Sequence, residues 1–121
     1  MAEPLLVAIV DASPEMHLAI ASVLGGAPDL RIVEHVRSLP ELWLARPDAI
    51  GVVVADLRAC VGQPLALAEL RRQYPGLRLV VTIPNHGAEY TDAVGRMAAD
   101  GFVQKTDLAD VLVSTLRRLP H

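Results

Sequence analysis

Four polar side chains stand at or near the ends of apolar runs in this sequence. Asp11 follows Leu5–Val10, Asp56 follows Ile50–Ala55, Thr82 sits near the end of Leu77–Ile83, and Lys105 comes shortly after Gly101–Val103. Two carboxylates, a hydroxyl and an ammonium are costly at the rim of an apolar core unless they are paired, hydrated or bound to metal. Brought together, they describe a phosphoryl site. The oxygens of Asp11 and Asp56 suit Mg²⁺, a hard cation that keeps several waters. Lys105 would neutralise one phosphoryl oxygen and the Thr82 hydroxyl would bond another. In-line attack by Asp56 on a phosphoryl donor would give an aspartyl phosphate, its equatorial oxygens stabilised by metal and lysine charge.

That chemistry requires all four residues at one edge of one sheet. The four runs named above, with Leu30–Val36, recur at even intervals and are rich in Val, Ile and Leu. The first, third and fourth are nearly continuous, as in parallel strands covered on both faces by helices. Helical spacing separates them. Met16, Ala19, Ile20, Val23 and Leu24 form one stripe; Tyr90, Ala93, Val94 and Met97 form another; Leu108, Val111, Leu112, Thr115, Leu116 and Leu119 form the clearest. Ser13-Pro14 starts the first helix and Gly25-Gly26 ends it. Ser38 and Glu41 have capping-box spacing for a short helix over Leu39–Ala45, closed by Pro47. A third helix is predicted over Pro64–Gln73 and a fifth from Thr106 or Asp107. Such alternation predicts an open parallel sheet with helices on both faces, because crossovers must be right-handed. Ligand chemistry then gathers outside the carboxyl ends of the strands.

Composition narrows the alternatives. The 121 residues make one domain, 1–121, and 52% apolar with 21% charged residues argues for a packed core. The net charge of −3 gives no basic excess for direct nucleic-acid binding by this chain. A single cysteine, Cys60, cannot form an internal disulfide, and no cleavable leader is evident, which predicts a cytoplasmic protein. The apolar runs fall far short of the roughly 20 residues a membrane-spanning helix needs. His17, His35, His86 and His121 have no ligand spacing with one another or with Cys60, so zinc is not expected. Neither G-x-x-x-x-G-K-[ST] nor G-x-G-x-x-G occurs.

Three segments carry a family resemblance: Ile9-Val10-Asp11-Ala12-Ser13-Pro14, Val52-Val53-Val54-Ala55-Asp56-Leu57-Arg58 and Gly101-Phe102-Val103-Gln104-Lys105. In order and spacing the chain resembles, over its whole length, a response-regulator receiver domain of two-component signalling, most closely receivers joined to helix-turn-helix output domains. The resemblance implies a flavodoxin-like (βα)5 fold with strand order 2-1-3-4-5. It makes Asp56 the phosphoacceptor, and Asp11, Asp56 and the backbone carbonyl of Arg58 the Mg²⁺ ligands. Lys105 becomes the phosphate-pairing lysine, with Thr82 the candidate hydroxyl, and Phe102 the aromatic switch. It also implies a sensor histidine kinase as partner. The face built by the last two predicted helices and the last strand would dock an output domain or a second receiver, including another copy of this chain, in transcription regulation. Such a domain is not itself an enzyme.

The departures are specific. Ala12 stands where the family carries a second acid, so Mg²⁺ binding should weaken; Ala59-Cys60 replaces Met-Pro, and Pro64 replaces a Gly. Counting back from Glu89-Tyr90 puts Ile83, not Thr82, in the family's hydroxyl position. Arg58 could pair with Asp56 and substitute fixed positive charge for part of the missing metal field, although a surface Arg usually faces solvent. Equally plain roles exist for the others: Asp11 as a helix cap, Phe102 and Trp43 as packing, Cys60 as an ordinary thiol. Two further functions therefore stand beside phosphorylation-dependent signalling. One is a phosphorylation-independent interaction or dimerisation module. The other is a small aspartyl phosphotransferase, disfavoured because Arg58 occupies the place of that class's second Asp.

Overall fold

All five apolar runs become strands of a single parallel sheet in the order β2-β1-β3-β4-β5. The computed structural model describes residues 3–45 and 49–120; Pro47 and His121 lie outside them. The strands are β1 (Leu5–Val10), β2 (Leu30–Val36), β3 (Val52–Asp56), β4 (Arg78–Ile83) and β5 (Gly101–Gln104). The helices are α1 (Pro14–Leu24), α2 (Leu39–Leu44), α3 (Leu57–Gly62), α4 (Pro64–Gln73), α5 (Ala88–Arg96) and α6 (Leu108–Arg117), the last entered through a 3₁₀ turn at Lys105–Asp107. This is the predicted flavodoxin-like architecture, with one helix more than expected.

Alternation along the strands builds two cores. Val53, Ala55, Val81 and Ile83 pack with Leu39 and Leu42 of α2, Leu57 and Cys60 of α3, Leu67 and Leu70 of α4, and Val94 of α5. Val52, Val54 and Val80 point the other way, against Ile20 and Leu24 of α1 and Leu108, Leu112 and Leu116 of α6. Every residue of β3 is buried, which is why its sequence runs unbroken in Val and Ala rather than alternating with polar residues.

The helix ends follow the local chemistry. Ser13 Oγ accepts from the Met16 N–H at 3.4 Å, with Pro14 in the first helical turn. At α2, Ser38 Oγ accepts from the Glu41 N–H, but Glu41 Oε2 accepts from the N–H of Arg37 rather than that of Ser38. The capping box is thus displaced by one residue from its usual reciprocal form. The segment after Asp56, for which no helix is predicted, is the helix α3. Its six residues are too few to nucleate alone, and Leu57 and Cys60, three apart, hold it down by burial.

Entry to β5 is tied by Asp100. Its N–H donates to the Leu79 carbonyl at 2.8 Å, and its Oδ2 accepts from the Leu79 N–H at 2.7 Å. The side chain thereby completes a backbone-like pair with β4. Just before it, Ala98 adopts φ 51°, the left-handed turn that lets the chain leave α5 and reach the sheet.

Candidate functional site

The carboxyl ends of β1 and β3 are neighbours, and each delivers an aspartate to the same place. Asp11 follows the last residue of β1 and is 3% exposed; Asp56 is the last residue of β3 and is 6% exposed. Such burial requires compensation for both charges. For Asp56 it comes from two cations. Lys105 Nζ lies 2.8 Å from Asp56 Oδ1, and Arg58 Nε lies 3.5 Å from Asp56 Oδ2. Lys105 is reached across β4, being placed at the end of β5 by the 3₁₀ turn, and its side chain is largely buried. The Arg58 side chain is 88% exposed, so its pairing is strongly screened.

Asp11 is held differently. Its N–H donates to the Val36 carbonyl at 3.1 Å and its Oδ1 accepts from the Ser13 N–H at 2.8 Å. Its carbonyl lies 2.7 Å from His17 Nε2. The cap of α1 is Ser13; Asp11 instead closes a turn onto the Ser13 N–H just outside the helix, and it uses one carboxylate oxygen only. The other, Oδ2, is buried with no hydrogen-bond partner among the described residues, and Lys105 Nζ is 4.0 Å from it.

Asp11, Ala12, Asp56 and Arg58 line a cleft of about 540 Å³ together with Ser13, Arg37, Ser38 and Gln63. Arg37 was not singled out from the sequence. It follows directly on β2, whose carboxyl end lies at the same sheet edge, so position in the topology alone could have found it. With Arg37, Arg58 and Lys105 set against Asp11 and Asp56, cations outnumber carboxylates around the site. It is suited to an anion with a small cation beside it.

Whether Mg²⁺ fits can be tested on the donors themselves. Asp11 Oδ2 is a hard, buried, unpartnered oxygen, the kind of group a cation satisfies. Asp56 and Arg58 line the same cleft. Ala12 contributes no oxygen, and among the described residues no three His, Cys, Asp or Glu side chains cluster as a metal site. Mg²⁺ commonly takes one or two carboxylates and completes its shell with water and phosphate oxygens. The residues fit such a site, with one carboxylate fewer than the family's.

The remaining candidates separate. Thr82 is paired with Asp56 in the β3–β4 ladder, but its buried hydroxyl has no hydrogen-bond partner among the described residues; Ile83 beyond it is fully buried in the core. Thr82 is thus adjacent to Asp56 in the ladder without a hydrogen bond from its hydroxyl to it. Phe102 in β5 is 41% exposed, with its ring edge-on to His86 at 6.1 Å. Trp43 is edge-on to Tyr74 at 5.9 Å. Cys60 is buried, and burial, reinforced by the negative charge of Asp56, pushes its thiol pKa up to about 12. It is the ordinary protonated thiol expected from the sequence. Among the described residues no helix is long and apolar enough to cross a membrane.

Comparison with known proteins finds likeness in structure only; neither family models nor curated proteins give a match. The RcsB response regulator of Salmonella typhimurium superposes with a TM-score of 0.84 at 20% identity, over 98% of this chain and 60% of that one. This chain thus spans about 60% of that chain's length. The non-phosphorylated receiver domain of RcsB from Escherichia coli gives 0.84 at 22% identity, covering 97% of this chain and 93% of that one. A NarL receiver domain from Mycobacterium tuberculosis gives 0.75 at 17%, covering 97% and 99%. The chain has the response-regulator receiver fold.

Proposed function

We propose that this chain is a signalling receiver in which Asp56 accepts a phosphoryl group from a partner histidine kinase. The observation that carries this reading is the buried Asp56 carboxylate, 2.8 Å from Lys105 Nζ at the carboxyl edge of the sheet and open to a cleft. Asp56 Oδ2 faces only a solvent-exposed guanidinium, and it is the freer oxygen to attack. It forms the new O–P bond as the bond from phosphorus to the donor breaks, and the leaving group departs with that electron pair. Lys105 supplies fixed positive charge to the acceptor. Mg²⁺, held by Asp11, Asp56 and the Arg58 carbonyl, would supply further charge neutralisation to the transferring group. Arg37 on the cleft wall adds a donor for its peripheral oxygens.

Phosphorylation makes Asp56 bulkier and more negative, and the added oxygens compete for Lys105. Lys105 is continuous with β5 and with the 3₁₀ turn that enters α6, so its displacement biases the α5–β5–α6 face, where Phe102 is exposed. That face would dock an output domain for transcription regulation or a second copy of the chain, within the cytoplasm. RcsB, one structural neighbour, has been captured as dimers bound to DNA, which supports an output of this kind. Incubation with a small phosphodonor or a cognate kinase and Mg²⁺ should add one phosphoryl mass, abolished by Asp56→Asn. An unchanged mass under efficient transfer by the cognate kinase would overturn the reading.

Two observations favour a second reading. Arg58 already compensates Asp56 and Ala12 withholds a metal ligand, so the same face could work constitutively as a phosphorylation-independent interaction module. Asp56→Asn would then leave partner docking unchanged.

A further inference from the structure

A second cavity, of about 430 Å³, lies between α3, α4 and α5, away from the acidic cleft. Its walls are apolar where Cys60, Leu67, Ala93 and Met97 meet, and two arginines, Arg71 and Arg96, break the apolar surface. Arg71 is the informative one. Its Nη1 is buried and has no hydrogen-bond partner among the described residues. Its one ion-pair partner among the described residues, Asp100, is 4.0 Å from Nη2, and Asp100 is already engaged by the Leu79 N–H at 2.7 Å and by Arg78 at 3.9 Å. No described residue forms an ion pair with Arg96. Two arginines, Arg71 and Arg78, thus share one aspartate, Arg96 pairs with no described residue, and positive charge is left over around the cavity.

We infer that this cavity binds a small carboxylic acid with an apolar body, its carboxylate on Arg71 and its chain against Leu67, Ala93 and Met97. The planar guanidinium fork matches a carboxylate, which would pair with the exposed part of the Arg71 side chain and offset the local positive excess. An apolar pocket with one or two placed polar groups is the usual form of a small-molecule site, and the volume suits a ligand of this size. Arg71 also acts electrostatically on the Cys60 thiol, which places its charge within reach of the cavity wall. The site would report directly to the other cleft, because α3 carries Cys60 and begins at the residue after Asp56. It does not depend on Asp56 accepting a phosphoryl group.

Titration of the full ¹⁵N-labelled chain with octanoate tests this. Amide shifts are expected to centre on Cys60, Leu67, Ala93 and Met97, and to persist in Asp56→Asn. Arg71→Gln should weaken binding by at least about tenfold, the loss of a charge-assisted hydrogen bond. Ala93→Leu, which fills the cavity without touching the charge, should abolish binding while preserving the far-ultraviolet spectrum; it decides the matter if Arg71→Gln does not fold. Octanol binding as tightly as octanoate, inorganic phosphate producing the same shifts, or no shifts at millimolar octanoate would each overturn the inference.

Discussion

Arg58 holds its Nε 3.5 Å from Oδ2 of Asp56, two residues earlier in the chain, so that the acid at the end of β3 is bracketed by its own helix on one side and by Lys105 on the other. A guanidinium so placed competes with any cation drawn to Asp56. Because the Arg58 side chain is almost wholly exposed, the competition is weak and screened by salt. Arg58→Ala should therefore raise the apparent Mg²⁺ affinity by a few-fold at low ionic strength, the gain shrinking in high salt. Stability should move by no more than about 0.5 kcal/mol. Calorimetric Mg²⁺ titration at two salt concentrations measures the affinity change, and urea unfolding measures the stability.

Restoring a carboxylate with Ala12→Asp should strengthen Mg²⁺ binding and speed phosphorylation by a small-molecule donor. Without metal, it should lower the melting temperature, because a third carboxylate is placed beside the two that share Lys105 and repels both. A melting temperature that rises steeply with added Mg²⁺ in this variant, and only slightly in the parent, is the expected signature.

Lys105→Met should be more damaging. It leaves two buried carboxylates without their common ammonium, and removing one partner of a largely buried pair typically costs about 3 kcal/mol. Combining it with Asp56→Asn should recover most of that loss. Urea unfolding of the two single variants and the double variant, treated as a cycle, gives the coupling.

Two titrations carry opposite signs. Hydrogen bonding to the Arg117 guanidinium, at 2.8 and 2.9 Å, holds the Asp29 carboxyl below its ordinary value of 3.8. A depressed acid stabilises the fold above its unfolded pKa and loses that contribution as pH falls through the folded one. The melting-temperature difference between the parent and Asp29→Asn should therefore be present at neutral pH and vanish in strong acid. Burial raises the Cys60 thiol to about 12 from an ordinary value of 9.0. Its contribution is complete below the unfolded value and disappears as pH climbs toward the folded one. Native Cys60 should thus resist thiol reagents at pH 8, whereas the urea-unfolded chain reacts at once.

Ala98→Gly should stabilise the chain. The φ of 51° at Ala98 costs an L-residue roughly 1 kcal/mol that glycine does not incur, partly offset by glycine's greater freedom when unfolded. Chemical denaturation should show a gain of a few tenths of a kcal/mol or more.

Much of this was legible because parallel strands buried on both faces leave a simple mark. The ends of β1 and β2 match the apolar runs exactly as they stand, and α4 matches its predicted span of Pro64–Gln73. The meeting of Asp11, Asp56 and Lys105 followed from their places after strands that share one edge. What escaped was local. The helix α3 has no side-chain cap and is too short for a repeating stripe, so only burial of Leu57 and Cys60 reveals it. β3 begins at Val52 rather than Ile50 and keeps Asp56 within the ladder, a boundary that hydropathy cannot place. Thr82 shows the limit of reading side chains from order alone. It lies opposite Asp56 in register, yet its hydroxyl bonds to none of the described groups.

The latch at Asp100 has a consequence at the far end of its strand. β5 is only four residues long, and slipping it by a single position would turn every side chain to the opposite face. By gripping both the amide and the carbonyl of Leu79, Asp100 forbids that slip before the strand begins. The accuracy with which the ammonium of Lys105 arrives over the sheet is thus surveyed from a fixed mark at the other side of the molecule, and damage there would be felt as a misaimed lysine rather than as a lost strand.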